Sequence, residues 1–133
     1  MGTPSKNHGN DHAAGLSVGN LEIWSEAMDI VEITYTLTQA WPEAEKYGLS
    51  SQTRRAVVSI PANLAEGAGR GTRKEKSRYG RIALGSLYEL DTLLQVATRL
   101  GFTEAEESIE LRADLARLAK RLNAYIRHQE EPK

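Results

Sequence analysis

The sequence predicts an all-α fold, an antiparallel four-helix bundle, on three observations. Four stretches repeat apolar residues at helical spacing. The connections between them are short and carry Gly, Pro, Ser or Thr. No segment alternates apolar and polar residues over strand length, so no sheet is expected. The expected layout is a disordered tail over residues 1–19, the bundle over 20–128 and a frayed end over 129–133.

The first helix begins with Asn20 as N-cap. It carries Trp24, Ala27, Val31, Tyr35 and Thr38 on one stripe, with Ile23, Ile30 and Leu37 beside it. Pro42 stops it, because the residue before a proline is pushed out of the α region. The segment from Pro42 to Gly48 reads as one further turn. The second helix runs from Ser50 to about Glu66, kinked at Pro61, and is ended by Gly67, Gly69 and Gly71. A capping box, Thr72 with Glu75, opens the third. Its inner stripe is Tyr79, Ala83, Ser86/Leu87, Leu90, Leu93/Leu94, Ala97 and Leu100, closed by Gly101. A second box, Thr103 with Glu106, opens the fourth, which continues through Ile109, Leu111, Leu115, Leu118, Leu122 and Tyr125/Ile126.

At 133 residues and 14.7 kDa the chain is one domain by size. No apolar run approaches the ~20 residues of a membrane span, and the first twenty residues match neither a signal peptide nor a myristoylation site. Zero cysteines suit a reducing compartment, so a cytoplasmic location is expected. The net charge of −1 hides an uneven distribution. Residues 54–81 carry eight basic side chains against Glu66 and Glu75, whereas residues 1–53 carry two basic against seven acidic. Such a chain is no general polyanion binder, but it can be a local one.

Most chemistry is absent from the pattern. The run Gly67-Ala-Gly69-Arg-Gly71-Thr lacks the Gly-Lys-Ser/Thr ending of a P-loop and the third glycine of a dinucleotide fingerprint. A helix precedes it, where both motifs need a strand. The bundle has no Glu-x-x-His pair for a di-iron site, and His8, His12 and His128 all fall in terminal segments. A Glu66–Glu89 acid–base pair is conceivable, but inward carboxylates in bundles usually serve ion pairs. The expectation is therefore no enzymatic activity, no cofactor, no metal and no small-molecule substrate.

What stands out is order among polar residues. At ~100° per residue, Gln52, Arg55, Ser59, Asn63 and Glu66 fall within an arc of about 60° on one face of the second helix. Ala56, Ile60 and Leu64 flank it on one side, Val58, Ala62 and Ala65 on the other. A solvated face would be broader and richer in Lys and Glu. Two readings stay open: a network with Glu75, Arg78, Ser86 and Glu89 of the third helix, or a subunit interface. The basic residues Arg70, Arg73, Lys74, Lys76, Arg78 and Arg81 are either an ordinary solvated surface or a nucleic-acid footprint.

A resemblance narrows this. Tyr47-Gly-Leu, Gln52, Arg54-Arg-Ala56, Ser59-Ile-Pro61, Asn63, Ala65-Glu-Gly67 and Gly69-Arg70 resemble bacterial four-helix-bundle proteins encoded within 23S rRNA intervening sequences, some labelled S23 ribosomal proteins. The resemblance continues through Lys74-Glu75, Arg78-Tyr79, Ile82 to Leu87, Glu89-Leu90 and Arg99 to Gly101, and upstream through Trp24, Ala27 to Asp29 and Leu37-Thr38. It covers residues 21 to about 102, the fourth helix matching in pattern only. It implies a bundle that assembles as a homopentamer. The chain is also similar to accessory proteins of diversity-generating retroelements, which bind nucleic acid and a reverse transcriptase. Lys76, Gly80 and Arg81 depart from the family, which usually has aromatic or aliphatic residues there. Gly80 alone costs up to ~1 kcal/mol of helix propensity. The expected function is binding RNA or an RNA-associated protein through Arg70–Arg81, repeated around an oligomer. The competing expectation is a protein scaffold without a nucleic-acid role.

Overall fold

The computed structural model describes residues 18–132. The expected tail lies outside these up to residue 17, as do His8 and His12. The described chain is all-α: α1 (Val18–Gln39), a 3-10 turn (Glu43–Glu45), α2 (Leu49–Arg70), α3 (Arg73–Arg99) and α4 (Ala105–Glu130), with no strand among the described residues. None of these helices is long and apolar enough to cross a membrane.

The four helices pack round one apolar core. Ile23, Ala27 and Ile30 of α1 meet Val57, Ile60 and Leu64 of α2, Leu87, Leu90 and Leu94 of α3, and Leu111, Leu115, Leu118, Leu122 and Ile126 of α4. Trp41 closes the end of this core, its ring 6.5 Å from that of Phe102. The closest packing joins α2 to α3; α1 and α4 share the sparsest seam. Cross-helix pairs run in reversed numerical order. Gly67 lies against Tyr79 and Ser59 against Ser86, while Arg81 reaches Glu130 and Arg112 reaches Asp91.

Several local expectations need correction. α1 starts at Val18, so Asn20 is not its N-cap but a buried residue whose side chain bonds Tyr125. Burial raises the Tyr125 hydroxyl above its usual value, and the Asn20 bond opposes that shift. The inner stripe of α1 is Ile23, Ala27, Ile30, Thr34 and Thr38; Tyr35 is exposed. α2 does not stop at Glu66. Its helical bonding continues through Gly67 and Gly69 to Arg70, and Gly71, at φ 81°, is the residue that turns the chain. Gly67 is there for proximity: a Cβ would lie 2.9 Å from the Tyr79 Cβ and 3.2 Å from the Glu75 carbonyl. Gly80, the family departure, is buried beneath α4, where a Cβ would lie 3.0 Å from Ile126 Cγ1.

The helix starts differ from one another. Thr72 accepts from the Glu75 amide at 3.1 Å, so this half of the expected box forms. The box at Thr103 does not: Glu104 occupies the N-cap position without a side-chain cap, and Ile109 is exposed. At α2, the Glu45 carboxylate accepts from the Leu49 amide at 3.0 Å, a cap supplied by the preceding turn. α3 ends in a Schellman motif. Gly101 takes φ 80°, its amide bonds Thr98, and the Phe102 amide bonds Ala97 at 2.9 Å. α4 runs to Glu130, two residues past the expected boundary of ordered chain, and the reason is a side-chain clamp.

Candidate interaction surfaces

Glu130 makes that clamp. Its carboxylate accepts from Ser77 Oγ at 2.5 Å and from Arg81 Nη2 at 2.7 Å and Nε at 3.0 Å. Arg73, one turn earlier on α3, donates to the His128 carbonyl. Two members of the expected basic cluster thus tie down α4 instead of standing free. The Ser77 bond first, and Arg81 second, hold the Glu130 carboxyl below its ordinary value of 4.5. Because the folded value is depressed, the clamp contributes stability above the ordinary value and loses it as pH falls through the folded one. Acid should therefore loosen the last turn of α4 in the parent, and Glu130→Gln should lower amide-exchange protection there at neutral pH and remove that acid dependence.

The remaining basic residues form a different group. Arg70 and Arg78 lie over the Tyr79 ring at 5.2 and 5.3 Å from its centroid. Each also has a carboxylate within its own helix, Glu66 at 3.1 Å and Glu75 at 3.5 Å. Lys74 is exposed and Lys76 half-buried, and neither has an ion pair among the described residues. A second cation–tyrosine group sits beside the turn after α1. Lys46 lies 5.6 Å from the Tyr47 ring and Arg54 lies 4.5 Å from the Tyr35 ring. With Arg55 they line an open groove of about 610 Å³. The sequence signal for it was available, since Tyr47 and Arg54-Arg55 straddle the start of α2, but Tyr35 joins them only in the fold.

The polar stripe of α2 is not a buried network. Gln52, Arg55 and Glu66 are exposed, Ser59 and Asn63 half-buried. One bridge to α3 exists: the Ser59 and Ser86 hydroxyls are 2.8 Å apart, and Asn63 Nδ2 donates to Ser59 Oγ at 2.9 Å. Arg55 donates to Ser51 within α2, Glu66 pairs with Arg70, and exposed Glu89 has no ion pair among the described residues. Glu66 and Glu89 do not form an acid–base pair in a pocket. Beside this seam lie the α2 residues expected as one wall of the stripe, Val58, Ala62 and Ala65, and two residues of α3. Val58 is 41% exposed and Ile82 42%, with exposed Ala62 and Ala65 on α2 and Gly85 on α3.

Among the described residues no group of three His, Asp or Glu side chains converges as a metal site. Comparison with curated proteins gives no match. The family model for the 23S rRNA-intervening sequence protein matches residues 19–124, from the first turn of α1 to the last third of α4. The chain therefore belongs to the 23S rRNA-intervening sequence protein family.

Proposed function

We propose that this protein is a non-enzymatic, antiparallel four-helix bundle whose activity is association, first with copies of itself. The reversed order of cross-helix pairs supports the antiparallel arrangement. One observation carries the assembly: the outer face of α2 and α3 leaves Val58, Ala62, Ala65, Ile82 and Gly85 open around a hydrogen-bonded serine–asparagine seam. A closed odd-numbered ring, such as the pentamer the resemblance implies, needs two different patches joined head to tail. The two flanks of the seam supply them, with Val58 and Ala62 on one and Ile82 and Gly85 on the other.

The absence of cysteine makes a clean test possible. Oxidised Val58→Cys/Ile82→Cys should give a covalent ladder ending at one closed species, while either single variant should stay unlinked. A covalent dimer from a single variant would mean a two-fold contact and would contradict the ring.

A second reading, RNA association, is supported by the cations held over tyrosine rings, since such pairs offer phosphate contacts and a stacking face together. It rests on Arg70, Lys74, Lys76 and Arg78, with Arg73 and Arg81 as ties to α4. Lys74→Glu/Arg78→Glu should abolish the mass gained with bulk RNA at low salt and leave the oligomer intact. RNA binding unchanged by the variant, or insensitive to salt, would sink this surface.

A further inference from the structure

Across the core from the α2–α3 face, the seam between α1 and α4 opens into a groove of about 720 Å³. Its floor is apolar: Ile33 and Leu37 from α1, Leu111 from α4, and Phe102 from the connection. Phe102 is fixed there by the Schellman motif, its amide bonded to Ala97, and by its ring contact with Trp41. Ile33 is 45% exposed in the groove.

Every charged residue of the rim is acidic. Glu32 comes from α1; Glu104, Glu107, Glu110 and Asp114 come from α4 and its cap; no Lys, Arg or His lines the groove. Asp114 is paired with Arg117, but Glu32, Glu104, Glu107 and Glu110 have no ion pair among the described residues. Four carboxylates without an ion pair border an apolar floor in which Ile33 is exposed, Leu37 and Phe102 are half-buried and Leu111 is buried, so the groove joins negative charge to partly open hydrocarbon. Both are relieved by one kind of occupant. The α4 edge from Glu104 to Asp114 is about 15 Å long at 1.5 Å per residue, which suits three turns of helix.

We propose that this groove docks a basic amphipathic helix of another protein, its apolar stripe on Ile33, Leu37 and Phe102 and its flanking Lys or Arg residues on the four carboxylates without an ion pair. The mode is helix-in-groove recognition, with the charges setting partner choice and encounter rate. A positive rather than neutral partner follows from the rim. A helix rather than an extended strand follows from the absence of any sheet edge among the described residues. The groove faces away from the α2–α3 seam, so it stays open in the assembly, and an oligomer presents several copies to a multivalent partner.

The probe is a fluorescein-labelled helical peptide with leucines at i, i+3, i+4 and i+7 and lysines on both flanks, measured by anisotropy against the full chain. Two controls accompany it: the same composition scrambled to remove amphipathicity, and the lysines replaced by glutamates. The amphipathic cationic peptide should bind, with both controls weaker by at least about tenfold. Glu107→Lys/Glu110→Lys should weaken it comparably, with helicity by circular dichroism unchanged because both side chains are exposed. Ile33→Asp should weaken it through the floor alone. Equal binding of the scrambled peptide would reduce the groove to a diffuse acidic surface and overturn the proposal. So would double-reversal binding within twofold of the parent. If the reversal instead dissolves the oligomer, the occupant is a second copy and the proposal fails.

Discussion

Gly67→Ala should destabilise the fold by about 1–2 kcal/mol, although the same change inside a helix ordinarily stabilises it. Alanine gains up to ~1 kcal/mol of helix propensity over glycine. Against that, the new Cβ would meet Tyr79 Cβ at 2.9 Å, the Glu75 carbonyl at 3.2 Å and Lys76 Cα at 3.3 Å. Two of those atoms are backbone, so relief requires α3 to move rather than a rotamer to change. Overpacking of this kind costs about 1–3 kcal/mol. The short Gly71-Thr72 connection leaves little room to adjust, which places the result at the upper part of that range before the propensity gain is subtracted. Gly69→Ala is the internal comparison. It lies in the same helix with nothing within 4 Å of its would-be Cβ, and should stabilise by up to ~1 kcal/mol. Opposite signs for two glycines two residues apart, on opposite sides of the helix, measured by thermal or urea unfolding, would confirm that α2 and α3 touch at Gly67. Gains at both would mean the helices stand further apart there.

Val58→Glu/Ile82→Glu should leave the single chain folded and take the assembly apart. Both side chains are about two-fifths exposed already, so ionised carboxylates there remain solvated in the monomer. In an oligomer each junction would have to take a new carboxylate out of water on either flank of the seam, with Arg54, Arg55 and Arg78 one turn away as the nearest cations. Desolvating an ion in this way costs several kcal/mol, which a pairing at that spacing does not offset. Closed rings lose every junction at once, so the expected outcome is monomer at micromolar concentration rather than partial loss. Helicity and unfolding midpoint of the monomeric variant should match those expected of the isolated chain.

How legible this was depended on the kind of signal. The four helices were readable because each carries a long apolar repeat, and a stripe such as Leu87, Leu90 and Leu94 leaves one packing face. Helix ends were less readable, because glycine has two uses. At Gly71 it supplies a left-handed turn; at Gly67 it makes room for a neighbour, and composition alone does not separate the two. The Thr103 box failed for a related reason: the Schellman turn through Gly101 and Phe102 already sets how the chain enters α4. The candidate surfaces were half visible. Order along α2 marked a special face, but its exposure follows from where α3 sits. The basic run read as one cluster and divided in space, since Arg73 and Arg81 point toward the end of α4 while Arg70 and Arg78 gather on Tyr79. The acidic groove left a faint trace in the shared face of Glu104, Glu107 and Asp114; its floor joins α1, α4 and their connection, which no local pattern reveals.

Solution mass by light scattering decides whether the α2–α3 face holds copies of this chain together. The parent should run as a single species several times 14.7 kDa, falling to 14.7 kDa in Val58→Glu/Ile82→Glu at the same concentration. A parent that weighs 14.7 kDa, or a double variant that keeps the parent's mass, would contradict it.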